Sequence, residues 1–191
     1  PAVERRLDYL LVRARTGSHE WTMPSAVAVN AKRIVAKLTD DDAILLGAII
    51  APFPNHPLIE ELLENSNAYL PVGRGAQRAV KVFLEIARRA ASVLGRAEAS
   101  VGDVENCFPS LSPSRALTHM RAEGFSQWRC DALQQLYQFW HLLPEFRGLT
   151  PGPASSAYLA EFALRPLDQF LARYGDPLRY SDNFAHVRSG A

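Results

Sequence analysis

Cysteine is nearly absent from this 191-residue sequence. Only Cys107 and Cys130 occur, and no Cys-x-x-Cys spacing joins them. That excludes a disulfide framework and a cysteine-built zinc knuckle. Long apolar runs are missing too. The segment from Ala43 to Phe53 contains a proline and is far shorter than the roughly 20 apolar residues of a membrane-spanning helix. Lysine is confined to Lys32, Lys37 and Lys81, so arginine supplies nearly all of the positive charge. A charge excess is lacking as well. The formal net charge is +1, so any grip on a polyanion has to come from a local patch rather than from the whole molecule. The opening "PAVERRLDYL" is charged and has no apolar stretch of the kind a secretion signal carries. The expectation is a soluble cytoplasmic protein with no membrane contact; an effector exported without a cleaved signal would read the same way.

Several catalytic and fold signatures are also absent. There is no glycine-rich strand-to-helix fingerprint, no Gly-x-Ser-x-Gly, no His-Glu-x-x-His, and no repeat of solenoid period. What the sequence does contain is a substantial core, with 48% apolar residues. Prolines punctuate Ala-, Leu- and Arg-rich segments of helical spacing. The pattern predicts helices over about 3–15, 24–38, 39–50 and 55–65, then 74–95, a short one near 100–107, 112–124 and 126–143. In the second of these, "SAVAVNAKRIV" also alternates like a strand, but its length and the cap that follows favour helix. "TPGPASS" reads as a linker. Two further helices are expected to meet at Arg165–Pro166, and the end reads as a short helix or extended arm. The predicted fold is all-α: a single multi-helix domain of about seven to nine helices over 1–149, with a C-terminal helical extension or arm over 150–191. Its core is expected to centre on the 74–95 and 126–143 helices.

Three helix starts are strongly marked. Thr39 precedes Asp40, Asp41 and Asp42, which favours capping and dipole stabilisation over metal binding. Ser112–Pro113 places a cap and a first-turn proline, with a stop at Gly124. Ser100 and Asp103 resemble a capping box.

Chemistry-bearing groups are scattered. His56, Glu60 and Glu64 share one helix face, but no second helix offers Glu-x-x-His, so neither a metal nor another cofactor is expected. Cys130 and His141 lie three turns apart on one helix, too far for a dyad. His119, Tyr158, Asp182 and His186 are further polar or aromatic candidates for an enzyme, without recognisable catalytic spacing.

Charge distribution is more informative. Residues 1–37 carry net +4, residues 38–70 net −6 and residues 71–99 net +4. Wound at 100° per residue, "GRGAQRAVKVFLEIARRAASVLGR" places Arg74, Arg78, Lys81, Arg88, Arg89 and Arg96 on one side. Ala76, Ala79, Val80, Phe83, Ala87, Ala90 and Leu94 fall opposite. Closely spaced arginines and lysines on one helix face are what a nucleic-acid backbone recruits. These six residues are the expected nucleic-acid contacts. The functional expectation is a non-enzymatic helical binding or assembly protein, in its most specific form a self-associating nucleoprotein or coat-like subunit. The alternative is an enzyme or secreted effector on an all-helical scaffold.

Overall fold

The computed structural model describes residues 2–30, 33–59, 84, 88, 92, 97–174 and 176–189. The chain forms two compact units, each assembled from two separated stretches. Pro1–Pro54 joins Phe108–Ala163, and Asn55–Cys107 joins Leu164–Ala191.

The first unit is mostly helical. Helix α1 (Ala2–Arg15) buries Leu10 and Ala14 and stops at Gly17, which has φ +70°. Glycine is suited to that left-handed position because it has no Cβ to clash. Helix α2 (Asp40–Ile50) starts as its sequence indicates. The Thr39 hydroxyl accepts from the Asp42 N–H at 3.4 Å, and three aspartates occupy the first turn. The other end of α2 has no basic residue of its own. Arg129 reaches it from another helix and donates Nη1 to the carbonyls of Ala48 and Ile49, at 2.8 and 2.7 Å. A cation there satisfies orphan carbonyls and complements the helix dipole.

Between these helices the predicted 24–38 helix is instead a β-hairpin. Strands β1 (Ser25–Asn30) and β2 (Arg33–Lys37) pair antiparallel, with Val27 opposite Val35. The β-branched residues Val27, Val29, Ile34 and Val35 lose χ1 freedom in a helix and suit a pleated surface, which outweighs segment length. The "TPGPASS" stretch lies against this hairpin. Ala36 donates its N–H to the Pro151 carbonyl at 3.1 Å, and Thr150 and Pro153 are buried.

Helices α3 (Cys107–Ser110), α4 (Pro113–Ala122), α5 (Gln127–Trp140) and α6 (Ala154–Leu171) follow, with β3 (Ala97–Asp103) just before them. Ser112 caps α4 by accepting from the Arg115 N–H at 3.3 Å. Ser126 precedes α5 but makes no side-chain cap. The core of the first unit is a ladder of edge-to-face rings. Phe53 meets Phe125 at 5.2 Å and Tyr158 at 5.5 Å, and Phe125 meets Phe162 at 5.1 Å. Leu133, Leu136, Tyr137 and Trp140 supply the buried face of α5. The expected 126–143 core helix is thus present. The other core helix, 74–95, lies outside the described residues apart from 84, 88 and 92.

Helix α6 corrects the expected break at Arg165–Pro166, because the helix runs straight through Pro166. Pro166 cannot donate to the carbonyl one turn back, a defect of about 3 kcal/mol. Burial of Tyr158, Leu159, Phe162 and Leu164 offsets it, at roughly 1.5–3 kcal/mol each.

The second unit adds to the expected helices the clearest sheet component. It contains a three-stranded antiparallel sheet in the order β3-β5-β4, with β4 at Asp176–Tyr180 and β5 at Asn183–Ser189. The fold is mostly helical with two small antiparallel sheets. The short helix expected from about Ser100 is not formed there: Ala97–Asp103 is a strand, at the edge of the sheet among the described residues. Ser100 and Asp103 therefore do not make a capping box; they face His186 and Asn183 across the sheet. The C-terminal end, expected to be a short helix or arm, is the β4–β5 hairpin. Strand β3 tolerates only a minimal residue where β5 is bulky: a Cβ on Gly102 would overlap the Phe184 ring opposite it.

Candidate functional site

Of the six expected nucleic-acid contacts, Arg88 is described. It is helical and exposed, as are Leu84 and Ser92 one turn to either side. Arg74, Arg78, Lys81, Arg89 and Arg96 lie outside the described residues, as do Glu60 and Glu64 of the metal reading. His56 has a local use, since its Nδ1 accepts from the Leu58 N–H at 3.3 Å.

The nucleophile candidates separate. Cys130 is buried, and burial pushes its thiol up to about 11, so it is protonated near neutrality. His141 is exposed, with Nε2 at 2.9 Å from the Gly148 carbonyl oxygen. Tyr158 is buried in the aromatic ladder, and its phenol is pushed upward by burial. Tyr137 is pushed up to about 12 by burial, while its bonds to Ser155 and Ser156 act the other way. Two of the three clustered aspartates, Asp41 and Asp42, are engaged within the first unit. Arg6 donates Nε to Asp41 at 2.7 Å. Asp42 accepts the Thr22 N–H at 2.9 Å and has His19 Nε2 at 3.0 Å. The buried Nδ1 of His19 has no partner among the described residues, so no serine or cysteine completes a triad there.

The second unit places at one end of its sheet two aspartates that the sequence reading left apart. Asp103 ends β3 directly opposite Asn183, the first residue of β5. Asp182 immediately precedes it in the two-residue turn between Tyr180 and Asn183. The Val104 N–H donates to the Asp182 carbonyl at 3.0 Å, locking the two chain segments together. Direct cross-strand neighbours stand about 5 Å apart at Cβ, so both aspartates sit at one end of one sheet. Ser181 opens the turn with φ 57°, the sign that tight hairpins require.

Arg179 braces this turn from below. Its side chain is 1% exposed and forms a fork with Asp168 on α6, at 2.7 and 2.9 Å. Its Nη1 donates to the Ser181 carbonyl at 2.9 Å. Among the described residues neither Asp103 nor Asp182 has a basic partner; the Asp182 carboxylate accepts from Asn183 Nδ2, at 3.1 Å. The described residues hold no group of three or more metal-ligating side chains. A magnesium site that works on phosphate does not need one, since one or two carboxylates plus substrate phosphates commonly complete it.

Sequence reasoning noted Asp182 without a partner and assigned Asp103 to a cap. The usable signal was a Tyr-Ser-Asp-Asn turn between two alternating segments.

No protein family matches the chain, and no curated protein does. Among solved structures it is similar to chains of a partial Cas6-RT-Cas1–Cas2 complex and of a Cas6-RT-Cas1–Cas2 complex. Each likeness has a TM-score of 0.49 and 18% identity over 98% of this chain. The chain spans 33% and 21% of those chains, respectively. A likeness at that level leaves function to be argued from the residues. No helix among the described residues is long and apolar enough to cross a membrane.

Proposed function

We propose that this chain binds nucleic acid and acts on its phosphates with a divalent cation held by Asp103 and Asp182. The basic face of residues 73–96 is the proposed grip on the polyanion. The observation that supports the reading is that Asp103 and Asp182 lie at the same end of the sheet, with no basic partner among the described residues. A divalent cation there would bring positive charge to an end of the sheet where the described residues supply only negative charge. Once bound, the cation supplies charge neutralisation at phosphate and lowers the pKa of an attacking water or hydroxyl. The protein's part is to fix the two carboxylates, through the β3–β5 register and the Arg179 brace. Arg88 and its sequence neighbours on the same face contribute counter-charge along the strand.

Manganese titration of the full chain tests the metal part. Asp103→Asn and Asp182→Asn are each expected to weaken manganese binding by more than about tenfold. Magnesium-dependent cleavage or extension of a primed oligonucleotide should vanish in both variants and on chelation. Unchanged manganese binding in both variants would sink the reading. The grip is tested separately: Arg78→Ala/Lys81→Ala should flatten the salt dependence of oligonucleotide binding by about 0.7–0.9 in log–log slope per lost cation.

A second reading is a non-enzymatic, self-associating subunit. The first unit favours it through β1, where Ser25–Val29 are all exposed and Val29 is 59% exposed. An uncharged apolar edge strand is a ready template for another copy. Oligonucleotide binding and assembly that survive chelation and both aspartate substitutions, with no turnover, would select this reading.

A further inference from the structure

The arginines of α1 are used unequally. Arg6 is paired with Asp41, and Arg13 donates to the Ser18 carbonyl at 3.0 and 2.7 Å. Arg15, exposed at the end of α1, has neither a carboxylate nor a carbonyl among the described residues. Its guanidinium lies 5.1 Å from the centre of the Trp128 ring. The guanidinium of Arg129 lies 4.5 Å from the centre of the same ring. Two cations are thus gathered on one indole, each within the distance at which the ring quadrupole attracts a cation.

The indole holds them in place but does not neutralise them. The two guanidinium carbons are less than about 10 Å apart, comparable to the screening length at physiological salt, so they repel. Arg129 also sits in the first turn of α5, where the helix dipole opposes a cation, and that turn contains no acidic residue. One Arg129 nitrogen, Nη1, makes both of its bonds to the α2 carbonyls. The other two guanidinium nitrogens have no protein partner among the described residues. The Arg129 pKa is lowered by burial first and by Arg15 second, with no acidic group acting against them. Asp131, the nearest acid along α5, is taken by Arg121 and Gln127 at 2.8 and 3.0 Å. The cluster is therefore held in place and partly dry, with the carbonyl end of α2 against Arg129 but no carboxylate on either cation among the described residues.

We propose that Arg15, Trp128 and Arg129 form an anion site in the first unit that takes a phosphate ester, either a strand phosphate or the phosphate of a free nucleotide. Planar guanidinium forks match phosphate oxygens in geometry as well as charge. A bound phosphate also relieves the repulsion between the two arginines. The inference stands on this geometry alone and does not depend on Asp103, Asp182 or the 73–96 face.

Tryptophan emission reads the site directly. Of the three tryptophans, Trp21 and Trp140 are buried, and Trp128 is part-exposed between the two arginines. The full chain is titrated with oligothymidylate and, separately, with inorganic pyrophosphate at low salt. The wild type should change emission with at least one probe, and Trp128→Phe should lose that change. Arg15→Gln should weaken binding by about tenfold, as expected for one charge-assisted contact. For the oligonucleotide it should flatten the log–log salt slope by about 0.7. Arg15→Lys keeps the charge and should retain most of the slope. A response to both probes assigns a site sized for a free phosphate, and a response to oligothymidylate alone assigns a strand site. No response to either probe, or wild-type affinity and slope in Arg15→Gln, overturns the proposal. Asp103→Asn and Asp182→Asn should leave this response intact, so failure of the metal reading and failure of this site are separately visible.

Discussion

Asp168→Ala is expected to destabilise the protein by about 3 kcal/mol in chemical denaturation, the lower end of the range for breaking a buried ion pair. The reason is what the substitution leaves behind. The Arg179 side chain is 1% exposed, whereas that of Asp168 keeps 19%. Removing the carboxylate takes two short charge-assisted bonds from a guanidinium too buried for water to replace them readily. The bond to the Ser181 carbonyl survives, and the partial exposure of Asp168 softens the loss, so the upper end near 5 kcal/mol is not expected. Asp168→Leu/Arg179→Met removes both charges and should recover most of the stability. The same pair sets the β4–β5 turn, so Asp168→Ala should weaken manganese binding as well. Asp168→Ala that melts with the wild type would show that the fork contributes nothing net.

Truncation after Leu149 is expected to abolish cooperative unfolding of the first unit. The deletion removes Tyr158, Leu159 and Phe162, which are 3%, 0% and 0% exposed. At roughly 1.5–3 kcal/mol per buried side chain, three such residues approach the whole stability margin of a domain. Phe53 and Phe125 lose their edge-to-face partners on α6. The Tyr137 hydroxyl, fully buried, loses both Ser155 and Ser156. An orphaned buried hydroxyl costs about 1–3 kcal/mol more. In the second unit β3 loses the strand it pairs with. Near-ultraviolet circular dichroism with a thermal melt checks this, and a sharp transition at the full-length temperature would contradict it. Phe162→Ala is the milder version, at about 3–5 kcal/mol.

Helix starts and stops were legible because they are local chemistry. Thr39 and Ser112 cap the helices they precede, and Gly17 and Gly124 adopt the positive φ expected of a stop. The sheet of the second unit was not legible, because its signal is non-local. Between Ala97 and Asp103 only Val101 is β-branched, and the strand that pairs with it begins at Asn183. The turn that closes the hairpin is Ser-Asp rather than the usual Asn-Gly, so it gives no conspicuous mark. Pro166 misled for the opposite reason: a strong local breaker was overruled by the apolar face around it. Asp103 fitted a capping box that only a helix would have used, which hid its pairing with the β4–β5 turn. The Arg15–Trp128–Arg129 cluster joins residues from two helices far apart in sequence, and no spacing rule connects them.

The strand order β3-β5-β4 also fixes when the second unit can be completed. Its central strand, β5, is made after both of its neighbours. During synthesis β3 emerges with its partner still some eighty residues away, and at about 5–20 residues per second it waits for several seconds. Strand β4 emerges next and meets no edge to join until Asn183–Ser189 has followed it. The two proposed metal ligands are therefore set in place by the last pairing event of their unit. A nascent chain halted before residue 183 holds Asp103 and even Asp182, yet lacks the strand that frames them. Any chemistry at that site stays silent until β5 has been made.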